Sequence, residues 1–138
     1  MQKFIPLFGR ILLSTIFLMS GLGKITDFAG TQEYMVAYGM PFTAFFIVCA
    51  IILEVGGGLS VLLGYKARWG ALALVIFLIP TTLIFHTKFS DQVQMIMFMK
   101  NMAILGGLLL VASFGSGPIS VDARTTSPNS QKHDAHVV

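Results

Sequence analysis

Four apolar segments, each about as long as a bilayer's hydrocarbon core is thick, make up most of this chain. They span residues 4–23, 42–63, 69–86 and 93–114. A helix rises about 1.5 Å per residue, so about 20 residues cross a core of about 30 Å. Polar side chains lie within these segments or at their ends, namely Arg10, Lys24, Glu54, His86, Lys100 and Asn101. A charge in hydrocarbon costs about 2.5 kcal/mol or more, so we expect these side chains to face one another. The sequence predicts an all-α, integral-membrane bundle of four transmembrane helices.

The composition agrees with a membrane protein and excludes several other classes. Hydrophobic residues make up 55% and charged residues 11% of the 138 residues, with a mean hydropathy of +0.81. A soluble domain carries about 25% charged residues, so this chain has too little charge to cover a soluble surface. The net charge of +3 comes from basic residues that flank the apolar segments, which argues against a nucleic-acid partner.

Cys49 is the single cysteine, so neither an intramolecular disulfide nor a CxxC redox pair can form, and we expect a small buried residue.

The N-terminus has the positive start and apolar stretch of a signal peptide. However, Arg10 interrupts the stretch and no A-x-A cleavage site follows it. We therefore expect the first segment to be retained as a helix.

A short interfacial helix is predicted at residues 31–38, between the first two spans. Thr31 suits its N-cap, and Gly39 lies just past its end. Tyr34 and Tyr38 are four residues apart and share one face of the helix. Such amphipathic aromatic side chains favour the membrane interface.

The end of the chain has a different composition from the rest. We expect a transmembrane domain at residues 1–117 and a disordered cytoplasmic tail at 118–138, which is polar and lacks apolar periodicity. His133 and His136 lie in this tail, but two histidines without further ligands do not indicate a metal site.

Depth along the helices suggests a buried ion pair between Arg10 and Glu54. Arg10 lies six residues inside the first segment, about 9 Å deep, and Glu54 lies ten residues before Gly64, about 15 Å from the same side. Long side chains can span this difference. The pair could be purely structural, holding two helices together, or functional. Lys100 and Asn101 are the alternative partners for Glu54.

The remaining polar residues suggest a ligand pocket near the opposite side. Lys24 and His86 end the first and third segments, and the adjacent Lys100 and Asn101 lie about 10 Å inside the fourth. Together they would form a positive, hydrogen-bonding pocket for an anionic or carbonyl-bearing ligand, such as a quinone head group or a lipid phosphate. Alternatively, Lys24 extends to the interface and His86 forms hydrogen bonds there.

Four short blocks that contain these residues resemble the DoxX family, in particular its small YphA-like bacterial inner-membrane branch. The blocks are GLGKIT at 21–26, LEVGGG at 53–58, FH at 85–86 and MKN at 99–101, in that order. The resemblance extends over residues 10–122. It implies a four-helix inner-membrane protein with both termini in the cytoplasm. Members of the family have been linked to oxidoreductase complexes, thiosulfate:quinone chemistry and oxidative or thiol stress, and animal relatives act as membrane chaperones.

These observations favour an accessory or quinone-interacting component of a membrane redox or oxidative-stress system. The sequence has no metal-ligand set, nucleotide fingerprint or nucleophile–base pair, so it assigns no catalytic residue and leaves open whether the protein is an enzyme. A bound quinone or a partner protein in the membrane or periplasm would carry any electrons. The alternatives are a non-enzymatic assembly factor or chaperone, and a small-molecule transporter that would have to be a homo-oligomer.

The distribution of basic residues predicts that both termini are cytoplasmic. Six basic residues lie on the side of the termini and three on the opposite side: Lys3, Arg10, Lys66, Arg68, Arg124 and Lys132 against Lys24, Lys88 and Lys100. Basic residues are retained in the cytoplasm. Reporter fusions after Val138 and within residues 87–92 should therefore report opposite sides of the membrane. Fusions that report the same side would contradict the predicted topology.

Overall fold

The protein is a bundle of four long helices with a short helix at each end of the bundle. The computed structural model describes residues 2–125. Within that range the helices are α1 (Phe4–Thr26), α2 (Phe28–Ala37), α3 (Thr43–Leu63), α4 (Ala67–Phe85), α5 (Gln92–Phe114) and α6 (Val121–Thr125). The helices α1, α3, α4 and α5 are long and apolar enough to cross a membrane. The predicted all-α, four-helix membrane bundle is thus confirmed.

The long helices pack in chain order, with α1 against α3, α3 against α4 and α4 against α5, while α5 touches α1 only sparingly. The core includes Phe17, Val61, Leu74 and Leu108. One end of the bundle carries the start of α1, the end of α5 and the α3–α4 turn, and we call it the terminal end. The opposite end, which carries α2 and the α4–α5 turn, is the loop end.

Glycines set the spacing between neighbouring spans. A Cβ atom at Gly21 of α1 would lie 2.7 Å from Val55 Cγ2, and one at Gly57 of α3 would lie 2.8 Å from Leu74 Cγ. A side chain at either position would clash with the neighbouring helix unless that helix or its side chain shifted. Small residues that permit close approach are typical of helix contacts in membranes.

Helix α2 begins earlier than the sequence suggested. Its N-cap is Asp27, whose side chain accepts a hydrogen bond from the Gly30 N–H at 3.1 Å, so the prediction of Thr31 as the N-cap is wrong. Aspartate is as good an N-cap as threonine, and the connection from α1 is a single residue. Tyr34 and Tyr38 share a face as predicted, with ring centroids 5.0 Å apart. Both rings pack on Phe85 of α4, which fastens α2 across the loop end.

The chain after α5 folds back onto the terminal end. The Asp122 carboxylate accepts hydrogen bonds from the backbone N–H groups of Lys66 at 2.7 Å and Ala67 at 3.1 Å, where α4 begins. In return, the Asp122 N–H donates to Gly64 O at 2.8 Å. The prediction of a disordered tail is therefore wrong for residues 118–125. The sequence pattern missed this contact because it depends on polar capping rather than apolar periodicity. The rest of the predicted tail, with His133 and His136, lies outside the described residues.

Replacing Asp122 should loosen the terminal end. We expect Asp122→Ala to lower the free energy of unfolding by about 1–2 kcal/mol, because it removes the acceptor for the first N–H groups of α4. Thermal unfolding in detergent, followed by circular dichroism, would measure the change. Asp122→Asn keeps one acceptor oxygen and should recover part of the loss. An unchanged unfolding midpoint in Asp122→Ala would contradict a role for this carboxylate in holding α4.

Candidate functional site

Arg10 is buried at the terminal end, where it binds backbone carbonyl groups. Its side chain is 2% exposed. Nη1 donates to Val61 O at 3.2 Å and Leu62 O at 3.1 Å, and Nη2 donates to Ile119 O. The last carbonyls of a helix lack intrahelical partners and carry partial negative charge, so the C-terminus of α3 compensates the guanidinium. The predicted Arg10–Glu54 ion pair is therefore wrong, because Arg10 reaches the helix end instead.

Glu54 is also buried, and its partner is Lys24 of α1. Lys24 Nζ lies 3.0 Å from Glu54 Oε2 and donates to Oε1 at 3.2 Å. Ser20, one turn before Lys24, donates to the same Oε1 at 3.0 Å and accepts from Lys24 Nζ at 2.8 Å. Glu54 Oε2 is buried and accepts no hydrogen bond within residues 2–125. One oxygen of the carboxylate is thus fully engaged, and the other has only the electrostatic contact with the ammonium.

Sequence reasoning missed this pair because it placed Lys24 at the very end of the first span. In the structure α1 continues to Thr26, so Lys24 lies within the helix and turns inward instead of extending to the interface. The close approach of α1 and α3 at Gly21, whose Cβ would lie 3.4 Å from Glu54 Cβ, brings the two side chains together. The sequence did contain one indication of this contact: Ser20 and Lys24 are four residues apart, which puts both on one helical face.

Asn101 connects α5 to α4. It is 6% exposed, and its Nδ2 donates to Thr82 Oγ1 at 3.0 Å. Thr82 in turn donates to Leu78 O at 2.7 Å, as is common for threonine within a helix. This amide is therefore hydrogen-bonded in the bundle rather than to Glu54.

His86 takes part in a polar chain that joins three elements at the loop end. Its Nδ1 lies 3.1 Å from Gln94 Oε1, and Gln94 Nε2 donates to the Tyr38 hydroxyl at 3.3 Å. The chain runs from the end of α4 through the first turn of α5 to α2. Sequence reasoning did not single out Gln94, although it is a polar residue inside the fourth apolar segment.

Lys100 differs from the other polar residues because its charge is uncompensated within residues 2–125. Its side chain is exposed, and the one hydrogen bond that Nζ donates within residues 2–125 is to Met97 Sδ, at 3.3 Å. No carboxylate of the described chain lies within 4 Å of it. A lysine in this position inside a span is costly and indicates either access to water or an anionic or carbonyl partner.

One cavity of about 780 Å³ in the loop half of the bundle brings most of these residues together. We call it the loop-end cavity. All four long helices and α2 contribute to its walls, which are mainly apolar. Its polar lining comprises Ser20, Lys24, Asp27, Thr31, Tyr34, Glu54, Thr81, His86, Lys100 and Asn101. The four residues predicted for the pocket are therefore neighbours of a single space, Glu54 is with them, and Arg10 is not. Within residues 2–125, no group of three or more His, Cys, Asp or Glu side chains is placed to hold a metal ion.

The comparisons with known proteins place the chain in a family. A family model described as DoxX matches residues 5–87, which is more than half of the chain. The chain belongs to the DoxX family. It is 46% identical over 116 residues to "Inner membrane protein YqjF" of Escherichia coli (strain K12), covering 84% of this chain and 88% of that protein. It is 34% identical over 123 residues to "Inner membrane protein YphA" of the same organism, covering 86% and 88%. No solved structure matches the chain significantly.

The extent of the DoxX match divides the cavity residues into two groups. Lys24, Glu54 and His86 lie within residues 5–87, whereas Lys100 and Asn101 lie on α5, outside the matched range. In this DoxX protein the ion pair therefore belongs to the part of the chain that the family model covers. The uncompensated ammonium is contributed by the last span.

A double-mutant cycle should find that Glu54 is coupled to Lys24 and independent of Arg10. We expect the changes in unfolding free energy of Glu54→Gln and Lys24→Met to deviate from additivity by about 1–3 kcal/mol, because each removes the partner of the other. Thermal or denaturant unfolding in detergent would measure them. The matched control, Glu54→Gln with Arg10→Gln, should be additive within about 0.5 kcal/mol. Coupling in the Arg10 cycle and additivity in the Lys24 cycle would contradict the observed pairing.

Proposed function

We propose that this DoxX protein is an accessory, quinone-binding component of a redox system in the bacterial inner membrane. The observation that carries the proposal is the loop-end cavity, which combines apolar walls with a small number of polar groups. The two E. coli relatives are named as inner membrane proteins, which supports this location. The excess of basic residues at the terminal end supports cytoplasmic termini, so the cavity would lie in the periplasmic half.

The size and lining of the cavity suit a quinone head group. Cavities that bind small molecules have volumes of about 300–1,000 Å³, mostly apolar walls and a few polar groups that fix orientation. At about 780 Å³ this cavity falls in that range. A quinone ring has carbonyl oxygens, which accept hydrogen bonds, and an isoprenoid tail soluble in the bilayer. Lys100 can donate to a carbonyl, because its ammonium group has no protein oxygen bound within residues 2–125.

The ion pair would extend binding to the reduced ligand. A quinol carries hydroxyl groups that donate hydrogen bonds, and the Glu54 carboxylate, which lines the cavity, can accept them. Lys24 Nζ lies 3.0 Å from Oε2 and 3.2 Å from Oε1 and keeps the carboxylate at the cavity wall. The site therefore offers a donor for the quinone and an acceptor for the quinol. We assign the delivery or removal of electrons to a partner redox protein in the membrane or periplasm.

A non-enzymatic assembly factor or chaperone is the second candidate, and the exposure of α5 favours it. Only 11% of the residues in the most apolar stretch of α5 are buried inside the bundle, against 33% for α3 and for α4. The helix thus leaves most of its surface for lipid or for a client helix. Under this alternative, the polar residues of the loop-end cavity would serve only to hold the bundle together.

Substitutions that make the cavity wall apolar should release the quinone without unfolding the protein. We expect Lys100→Met to lower the fraction of protein with bound quinone about tenfold, since a hydrogen bond from a charged group contributes about 1.5–3 kcal/mol. Native mass spectrometry of gently extracted protein would measure this fraction. Lys88→Met, which removes a lysine from the loop end outside the cavity lining, is the control.

Two results would count against the proposed function. One is a quinone occupancy that is the same in the Lys100→Met variant, the Asn101→Leu variant and the unsubstituted protein. The other is stoichiometric recovery of a partner protein with no quinone in any preparation, which would favour the assembly factor.

A further inference from the structure

A second cavity lies at the terminal end, outside the site described above. It has a volume of about 540 Å³ and lies between the start of α4 and the segment that follows α5. We call it the terminal cavity, and its lining consists of Lys66, Arg68, Trp69, Phe114, Gly115, Ser116, Gly117, Asp122 and Ala123. We propose that this cavity binds the phosphate head group of an anionic phospholipid. This site is separate from the quinone proposal and does not depend on it.

The charges in the terminal cavity favour an anion. Lys66 and Arg68 are the two basic residues of the lining, and Asp122 is its single acidic residue; the Lys66 ammonium lies over the Tyr65 ring, 5.6 Å from the ring centroid. The Asp122 carboxylate is directed at the start of α4, where it accepts from the Lys66 and Ala67 N–H groups, and it also accepts from Ser116 Oγ at 3.4 Å. These N–H groups are therefore already occupied. A ligand would be held by the two cationic side chains.

The absence of a side chain at Gly115 leaves room for the guanidinium of Arg68 in the cavity wall. A Cβ atom at Gly115 would lie 3.2 Å from Arg68 Nε and 3.5 Å from Nη2, and the glycine has φ +81°. A side chain there would press on the guanidinium and would also strain the backbone. Arginine can bind a phosphate through two parallel hydrogen bonds. The glycine thus leaves the Arg68 guanidinium against the backbone of residue 115 at the cavity wall, where it can donate to a ligand.

The aromatic side chains of the cavity favour a lipid over a free phosphate ion. Trp69 is 74% exposed and Phe114 is 77% exposed, and both lie at the ends of membrane spans. Tryptophan is enriched where a span meets the head-group region. A phospholipid whose phosphate contacts Arg68 and Lys66 would place its glycerol and acyl carbons beside these rings. Inorganic phosphate has no apolar atoms that could pack against the Trp69 and Phe114 rings.

Retention of phosphatidylglycerol by the full-length protein tests this proposal. Protein in mixed micelles with phosphatidylglycerol or phosphatidylcholine would be analysed by native mass spectrometry. We expect Arg68→Gln and Lys66→Gln each to lower phosphatidylglycerol occupancy about fivefold and to leave phosphatidylcholine occupancy unchanged. Arg124→Gln and Lys3→Gln remove matched charges from the same end but outside the cavity, and they should have little effect. Arg68→Lys should keep part of the binding.

Several outcomes would overturn the lipid assignment. An equal loss of lipid in all four Gln variants would mean general attraction to the surface. If inorganic phosphate raised the unfolding midpoint as much as the lipid does, and Trp69→Leu changed neither effect, the site would be one for a free anion. If Arg68→Gln unfolds the protein, Lys66→Gln and Trp69→Leu carry the test: reduced phosphatidylglycerol retention supports the proposal and unchanged retention overturns it. Quinone occupancy of the loop-end cavity is expected to stay constant in every variant, so the two proposals can fail separately.

Discussion

A charge buried inside a bilayer is costly unless it is compensated, and this bundle compensates Arg10 and Glu54 in two different ways. At the terminal end, Arg10 binds the carbonyl groups that end α3, so a helix terminus serves as its counter-charge. Nearer the loop end, Glu54 is bound by Lys24 and Ser20 of α1. Both contacts join α1 to α3, and the glycine at position 21 allows these helices to approach closely enough for the second. The packing of the remaining spans continues from this pair in chain order.

The two ends of the bundle consequently differ in character. At the terminal end, the buried Arg10 guanidinium is enclosed by backbone carbonyl groups and by the segment that carries Asp122, although its Nε donates no hydrogen bond within residues 2–125. At the loop end, the polar groups surround the loop-end cavity. Within residues 2–125, the Lys100 ammonium donates a hydrogen bond only to a sulfur atom, and Glu54 Oε2 accepts no hydrogen bond. Incompletely satisfied polar groups next to a cavity are more informative about function than satisfied ones, because their cost requires an explanation.

Hydropathy predicted the spans well because the bilayer imposes a length and a composition on them. The predicted segments and the observed helices differ by only a few residues at each end. The burial of Glu54 and the grouping of Lys24, His86, Lys100 and Asn101 followed from depth along the helices. The pairing of the charges did not, because depth gives no information on the direction in which a side chain points around its helix. Arg10 was paired wrongly because its acceptors are backbone carbonyls, which every residue has. The contact of Asp122 with the start of α4 was not predicted for a related reason, since its partners there are backbone N–H groups.

The contacts of Arg10 also constrain the order in which the bundle can be completed. The residues whose carbonyls it binds are separated from it by 51, 52 and 109 positions in the sequence. During synthesis, α1 therefore enters the membrane with a guanidinium whose acceptors have not yet been made. The first two become available only once α3 has been inserted, and the third only after the last span. Until then Arg10 must remain hydrated or bind lipid head groups, so we infer that α1 settles at its final depth late in the assembly of the bundle.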